Sequence, residues 1–219
     1  MTKIHFIAVI LVSAGLFISC SPGKEKTIAN LKEAINGELT ASVKYNTFAD
    51  LAAKDSIYNV EAMFRAVSKA EAIHAGNHLK VLKSLGINDF KPDTMSFEVG
   101  STLENLRGAI EGETYEFTAM YPQIISEAKA EGADDAVASF NYAQDAEIGH
   151  SKIFAETLSR LSNNSVVSAA YFVCPKCGFI YVDDPGTVCG VCKMPSEKFL
   201  AFHAAMPLVE MQSDAIPVN

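Results

Sequence analysis

The 219-residue chain has no tryptophan, only five cysteines, and too few basic residues to balance its acidic ones. Its 18 lysine and arginine residues stand against 26 aspartate and glutamate residues, a net charge of −8. Because phosphate binding depends on Lys and Arg, this balance argues against nucleic acid as a partner. Since 49% of the residues are hydrophobic, the chain can bury an ordinary core without disulfide bonds.

Long hydrophobic runs are scarce, and the one at the start of the chain is short. It extends from Phe6 to Ser19, whereas a membrane span needs about 20 apolar residues. It predicts a signal peptide over residues 1–20, with an uncleaved N-terminal anchor as the alternative. The run ends in Phe17-Ile18-Ser19-Cys20, which resembles a bacterial lipoprotein cleavage box, although Leu16 lies four positions before the cysteine rather than three. We therefore expect lipidation at Cys20 and an exported protein, periplasmic or tethered to a membrane by acyl chains.

Residues 27–162 have a helical pattern. Ala, Leu, Glu and Lys dominate, and apolar residues recur at spacings of three and four. Breaks near residues 54–59, 86–101 and 131–135 divide the region into four helices of roughly 25 residues each. We predict an all-α four-helix bundle of the ferritin-like type, up-down with one long crossover.

The two halves of this region repeat each other. Residues 30–38 align with residues 105–113, and Asn, Leu, Ala, Ile, Gly and Glu coincide. Residues 62–82 align with residues 138–158 in the same way. A solvated charged face gives no reason for such a repeat, so the matched acidic residues and histidines are candidates for a shared function.

The repeated residues include a set of candidate metal ligands. Each half has one Glu after a glycine and one Glu-x-x-His step, which places a carboxylate and an imidazole on one helical face. The six residues are Glu38, Glu71 and His74 in the first half, and Glu113, Glu147 and His150 in the second. One such step alone would be an ordinary surface pair, but the duplicated set is typical of di-iron and di-manganese bundles. Carboxylate oxygen and imidazole nitrogen suit two first-row metal ions such as iron or manganese.

The repeat is broken at Glu116. This residue lies one turn after Glu113, whereas the corresponding position in the first half is Ala41. We expect Glu116 to point inward and to make the surroundings of the two metals unequal. A solvated helix residue is the alternative.

Two tyrosines and a third histidine lie near the ligands in sequence. Tyr45 follows the single Glu of its half by seven residues, and Tyr121 follows its counterpart by eight. Both can return to the ligand face and hydrogen-bond a coordinating carboxylate, with ordinary core tyrosines as the alternative. His78 has no histidine partner in the repeat, where Phe154 stands, so we expect a supporting or surface role for it.

A four-cysteine pattern follows the bundle. Cys174-Pro175-Lys176-Cys177 and Cys189-Gly190-Val191-Cys192 form two C-x2-C pairs separated by 11 residues. Four thiolates bind iron or zinc, and the spacing does not separate an electron-carrying iron site from a structural zinc site. A disulfide or redox pair is the alternative, because an exported protein meets oxidising conditions. We predict a small metal module with short β-strands over residues 168–204, followed by a tail at 205–219.

These motifs together resemble the rubrerythrin family, over about residues 28–202. The resemblance rests on Gly37-Glu38, Glu71-x-x-His74, Gly112-Glu113-x-x-Glu116, Tyr121-Pro122, Glu147-x-x-His150 and the four cysteines. It implies a di-iron bundle joined to a rubredoxin-like iron site, in a peroxidase that reduces hydrogen peroxide to water. It further implies that Glu116 and His74 exchange at one iron as the oxidation state changes, and that Tyr45 and Tyr121 support the catalytic centre.

The resemblance also raises expectations about partners. We expect a homodimer or higher homo-oligomer, because within one chain the cysteine module is expected at the far end of the last helix. A partner subunit would then supply electrons in a head-to-tail dimer. The electron donor is unknown, since export separates the protein from a cytoplasmic NAD(P)H-linked reductase. The alternatives are a ferroxidase or iron-handling protein, and a non-enzymatic tethered module with zinc at the cysteines.

Overall fold

The computed structural model describes residues 23–163, 165 and 169–204. The predicted signal peptide, Cys20 and the C-terminal tail lie outside these residues. The helices are α1, Glu25–Lys54; α2, Tyr58–Ser84; α3, Thr102–Tyr115; α4, Tyr121–Ala130; and α5, Asp134–Ser162. A five-residue π-helix, Glu116–Met120, joins α3 to α4, so that the two form the third long helix of the bundle. The predicted four-helix bundle is thereby confirmed.

Residues 85–101 connect α2 to α3 as the expected long crossover. The segment follows α1, where the Asp93 N–H donates to Asn36 Oδ1 at 2.9 Å. It ends where the Thr102 hydroxyl donates to Asp55 Oδ2 at 3.1 Å, beside the C-terminal end of α1. As a result α1 and α5 run in one direction while α2 and the α3–α4 helix run in the other.

Two apolar clusters fill the bundle on either side of a buried polar layer. One surrounds Phe48, Phe64 and Phe154, and the other surrounds Leu31 and Phe140. Burial of such side chains supplies most of the force that holds the helices together. Because the clusters lie before and after the polar layer along each helix, they separate its side chains from water.

The cysteine module contains three antiparallel strands in the order β2-β1-β3: β1, Ala170–Val173; β2, Ile180–Val182; and β3, Leu200–His203. Tyr171 and Val173 of β1 belong to the apolar cluster around Phe64. The module therefore packs on the bundle through a shared core. None of the helices within the described ranges has the length and apolar character to cross a bilayer.

Candidate metal centres

The six repeated ligand candidates meet in the middle of the bundle. They form two overlapping groups: Glu38, Glu71, His74 and Glu147, and Glu71, Glu113, Glu147 and His150. Within each group the ligand atoms lie within 4.8 Å of one another, and every member is buried. Glu71 and Glu147 belong to both groups, which is the arrangement expected when two metal ions share bridging carboxylates.

Each histidine faces the shared carboxylates through Nδ1. His74 Nδ1 lies 3.0 Å from both Glu71 Oε2 and Glu147 Oε1. His150 Nδ1 lies 2.7 Å from Glu147 Oε2 and 3.3 Å from Glu71 Oε1. The two imidazole rings are nearly parallel, at an interplanar angle of 22°. The sequence repeat thus becomes a local two-fold symmetry of the centre.

Unsatisfied polar atoms show that the centre is suited to cations. Among the described residues, oxygens of Glu38, Glu71, Glu113 and Glu147 and both ring nitrogens of His150 are buried without a well-aligned hydrogen bond, even though His150 Nδ1 lies close to Glu147. Burying a polar group in this way costs about 2–7 kcal/mol, and more for a charge. Four converging carboxylates and two imidazoles are a donor set that suits iron. The residues therefore fit two iron ions.

The electrostatics point the same way. Burial and the charges of Glu71 and Glu113 hold the pKa of Glu147 well above its ordinary value. Burial opposes protonation of His74 and His150, but the facing carboxylates, led by Glu147, outweigh it and raise both pKa values well above the ordinary value. The raised pKa values mean that Glu147, His74 and His150 favour their protonated forms in the metal-free protein, and metal binding has to displace these protons.

Glu116 lies in the π-helix and outside both groups of four. Its side chain is half-buried. Burial, followed by the charges of Glu113 and Glu38, raises its pKa well above the ordinary value. The role of Glu116 as a ligand stays a prediction, but its environment differs from that of a solvated surface residue.

The two tyrosines bridge the halves of the bundle. The Tyr45 hydroxyl donates to Glu113 Oε1, and the Tyr121 hydroxyl donates to Glu38 Oε1. The π-helix explains why Tyr121 follows Glu113 by eight residues, since a π-turn holds one residue more than an α-turn. That extra residue brings Tyr121 to the position equivalent to Tyr45.

His78 is fully buried, and its contacts were only partly foreseen. Its Nδ1 lies 2.7 Å from Ser139 Oγ, and its Nε2 lies 3.2 Å from the Tyr121 hydroxyl. The surface alternative for His78 is therefore wrong. Ser139 was not among the candidate residues of the sequence. It aligns with Met63 of the first half, and this polar-for-apolar difference between the halves could have identified it.

The four cysteines are buried, free of disulfide bonds, and within 4.8 Å of one another. Cys174 Sγ lies 3.4 Å from Cys192 Sγ, and Cys177 Sγ lies 3.6 Å from Cys189 Sγ. Hydrogen bonds, first from the Cys177 thiol and then from backbone amides, lower the pKa of Cys174 to about 5. This converging array fits one iron ion in a rubredoxin-like site.

One hydrogen bond connects the two centres. His74 Nε2 lies 3.1 Å from the carbonyl oxygen of Cys177, and Asn77 Nδ2 donates to the next carbonyl upstream, that of Lys176, at 2.8 Å. Gly178 makes this approach possible: its φ is +79°, and a Cβ there would lie 2.2 Å from His74 Nε2. A residue of the bundle centre and a residue of the cysteine centre are thus in direct contact.

The expectation that the module lies at the far end of α5 within one chain is wrong. After α5 ends at Ser162, β1 runs back along the bundle towards the centre. The 12 residues that follow His150 in α5, up to Ser162, correspond to about 18 Å of helix. About six extended residues cover that distance, so a short return segment is enough to bring Cys177 beside His74.

Comparison with known proteins agrees with this geometry. The sequence model described as Rubrerythrin matches residues 29–158. The chain belongs to the rubrerythrin family. Rubrerythrin-2 of Clostridium acetobutylicum is 31% identical over 173 residues, which cover 78% of this chain and 94% of the relative. Nigerythrin of Nitratidesulfovibrio vulgaris is 31% identical over 80% of this chain and 86% of its own length.

Rubrerythrin-type structure extends through both centres. The solved structure titled as the fully reduced, all-ferrous state of nigerythrin superposes with a TM-score of 0.76 at 30% identity, covering 80% of this chain and 86% of that chain. The protein is accordingly a di-iron protein with a rubredoxin-like domain. Its carboxylate–histidine centre fits two iron ions, and its cysteine centre fits one.

Proposed function

We propose that the protein is a peroxidase that reduces hydrogen peroxide to water at the bundle centre, with electrons supplied through the cysteine centre. The contact between His74 and the Cys177 carbonyl carries this proposal. A carbonyl oxygen only accepts, so His74 Nε2 donates to it and Nδ1 faces the shared carboxylates. One imidazole therefore links the thiolate array to the ligand set.

The iron ions would supply the redox chemistry: two electrons for cleavage of the O–O bond, and single-electron transfer from the thiolate site. The protein residues position and shield this chemistry. Tyr45 and Tyr121 hold the carboxylates of Glu113 and Glu38 in place. The apolar clusters on both sides keep bulk water away.

Glu116 is our candidate for the residue that distinguishes peroxide reduction from simple iron storage. Its raised pKa and its place in the π-helix make it the one acidic residue near the centre, within the described part of the chain, that stands apart from the two ligand groups. We propose that Glu116 and His74 exchange as ligands when the oxidation state changes.

We propose export and lipidation at Cys20, a homodimer or higher oligomer, and an electron donor that acts outside the cytoplasm. The contact between His74 and Cys177 within one chain means that the electron route itself needs no partner subunit.

Stopped-flow spectroscopy of the reduced, iron-loaded protein tests the peroxidase proposal. We expect hydrogen peroxide to reoxidise the protein much faster than air-saturated buffer does, with the charge-transfer bands of ferric thiolate returning in the same reaction. A variant with Glu147→Ala should keep the coloured cysteine site and lose the fast phase. Peroxide reoxidation no faster than that by oxygen would contradict the proposal. If many irons bind per chain, the protein is instead a ferroxidase or iron-handling protein. If zinc occupies the cysteine site, the protein is instead a non-enzymatic module.

A further inference from the structure

The hydrogen bonds around Tyr121 form a chain from the protein surface to the bundle centre. Ser139 Oγ lies 2.7 Å from His78 Nδ1. His78 Nε2 lies 3.2 Å from the Tyr121 hydroxyl, which donates to Glu38 Oε1. His78 and Tyr121 are fully buried, and Ser139 is 6% exposed. Four residues from four different helices are thus joined in sequence.

The donors in this chain all point towards Glu38. The Glu38 carboxylate accepts the Tyr121 proton, so the Tyr121 oxygen is free to accept from His78 Nε2. A neutral imidazole with a proton on Nε2 has an acceptor at Nδ1, which takes the Ser139 hydroxyl proton. The order is therefore Ser139 to His78, His78 to Tyr121, and Tyr121 to Glu38.

The outer end of the chain reaches solvent. Ser139 lines an open cleft on the surface, together with Asn77, Lys80, Asp135 and Lys176. Water that enters this cleft comes next to the Ser139 side chain. The cleft also borders the cysteine module through Lys176, close to the site of electron entry.

The sequence repeat shows that this chain belongs to one half of the centre. Where the first half has His78, the second has Phe154, and where the second half has Ser139, the first has Met63. Tyr45 accordingly lies in an aromatic environment, 5.3 Å from Phe154 between ring centroids. The polar pair of His78 and Ser139 therefore serves Tyr121 alone, and the equivalent positions of the repeat are apolar. The ligand candidates, in contrast, are duplicated.

We propose that Ser139, His78 and Tyr121 form the route by which protons enter the centre. The proposal rests on the proposed function, in which hydrogen peroxide, two electrons and two protons give two molecules of water. The O–O bond breaks, each oxygen gains one proton, and the electrons come from the reduced bundle centre. In each passage the Ser139 proton moves to His78 Nδ1, the Nε2 proton moves to Tyr121, and the phenolic proton passes by way of Glu38 to an oxygen of the cleaved peroxide. A proton from water in the cleft replaces that of Ser139, and reorientation of the His78 ring and of the two hydroxyls restores the starting hydrogen bonds for the second proton.

The variant His78→Gln separates proton transfer from simple positioning. A glutamine side chain can donate to Tyr121 and accept from Ser139, but it does not take up a proton at one atom and release another. We expect peroxide reoxidation of the reduced His78→Gln protein to slow by at least about tenfold, in line with the loss of a proton-transfer group. The solvent deuterium isotope effect should rise, and the iron content should match that of the wild type. A wild-type rate in this variant would show that His78 only positions Tyr121 and would overturn the proposal.

The control is Ser68→Ala, which removes another partly buried serine hydroxyl. Ser68 donates to the Ser42 carbonyl at 2.8 Å between α1 and α2 and takes no part in the centre. Ser139→Ala should slow reoxidation, whereas Ser68→Ala should leave the rate and the isotope effect unchanged. Equal effects of the two substitutions would mean that Ser139 acts through stability alone.

A measurement without turnover tests the chain independently. In zinc-loaded, ¹⁵N-histidine-labelled protein, the His78 signal, assigned by its loss in His78→Gln, should show a proton on Nε2 and an acceptor at Nδ1. Ser139→Ala should shift Nδ1 and leave Nε2 protonated. A proton on Nδ1 would reverse the direction of the chain and refute the proposal. If peroxide fails to reoxidise the wild-type protein, the peroxidase proposal fails, and the NMR result still decides whether the chain exists as described.

Discussion

Tyr45 and Tyr121 occupy equivalent positions in the repeat but differ in the number of buried polar atoms to which they hydrogen-bond. The Tyr121 hydroxyl satisfies both Glu38 and His78, whereas the Tyr45 hydroxyl satisfies Glu113. Tyr121→Phe therefore leaves two buried polar atoms without a partner, and Tyr45→Phe leaves one. Each such atom costs about 1–3 kcal/mol. We expect denaturant unfolding of the iron-loaded protein to show the larger loss of stability for Tyr121→Phe; equal losses would contradict this.

The raised pKa values of His74 and His150 predict how metal binding depends on pH. In the metal-free protein both rings hold a proton above the ordinary histidine pKa of about 6.5. Their contribution to stability is complete below that pH and is lost as the pH rises through the folded-state values. Metal binding needs neutral imidazole, so we expect proton release on binding and an affinity that rises with pH until the pH exceeds the raised folded-state pKa values of the two rings. Anaerobic titration calorimetry with Fe(II) in buffers of different ionisation enthalpy measures this release, and an affinity independent of pH would refute it.

Glu116 is the residue at which the repeat is broken. It lies outside both groups of ligand candidates, although the charges of Glu113 and Glu38 help to raise its pKa. Glu116→Gln should leave iron content close to that of the wild type, because the six repeated ligand candidates are intact. It should slow peroxide reoxidation by about tenfold or more, as expected for loss of a functional acidic group. Glu111→Gln, on the exposed face of α3, is the matched control. Loss of iron from the Glu116 variant would instead show a ligand needed for assembly.

At the scale of elements, the helices and the set of ligand candidates that meet in the bundle followed from local patterns. Apolar periodicity located the helices, and the repeat assigned Glu71 and Glu147 to equivalent positions in the two halves of the bundle. The π-helix was not predicted, although the extra residue before Tyr121 was its visible sign. The pair of His78 and Ser139 was also missed, because these residues are 61 positions apart and helical periodicity carries no information about which helices meet.

Gly178 controls how the cysteine module meets the bundle. Gly178→Ala introduces a side chain at a φ of +79° and against His74 Nε2; the backbone strain alone costs about 1–2 kcal/mol. We expect the cysteine site to keep its iron and its colour while transfer of electrons to the bundle slows. Gly186→Ala has the matching strain at a φ of +60° with nothing within 4 Å, and it should leave transfer unchanged. Rapid-mixing kinetics after reduction of the cysteine site measure the transfer, and equal rates in the two variants would disprove a role for this contact.

At the scale of the whole molecule, the docking of the module lay beyond what the sequence could predict. His74 and Cys177 are 103 residues apart, and neither the linker composition nor the cysteine spacing states which face of the bundle the module covers. The shared core of Tyr171 with the bundle settles that question physically, because separating the module would expose buried apolar surface.

This docking predicts that electrons pass between the two centres of the same chain. The test uses hetero-oligomers that contain two different variant chains and are isolated through two different tags. One chain has Cys174→Ser and Cys177→Ser and lacks the cysteine centre. The other has Glu71→Ala and Glu147→Ala and lacks the bundle centre. Since no chain then has both centres, we expect almost no sustained peroxide reduction. The control hetero-oligomer pairs a wild-type chain with a chain that carries all four substitutions, so it has the same number of intact centres. It should keep about half of the activity of the wild-type oligomer, because intact chains would act independently. Similar activity in the two hetero-oligomers would instead show that the module acts on a partner subunit in a head-to-tail arrangement.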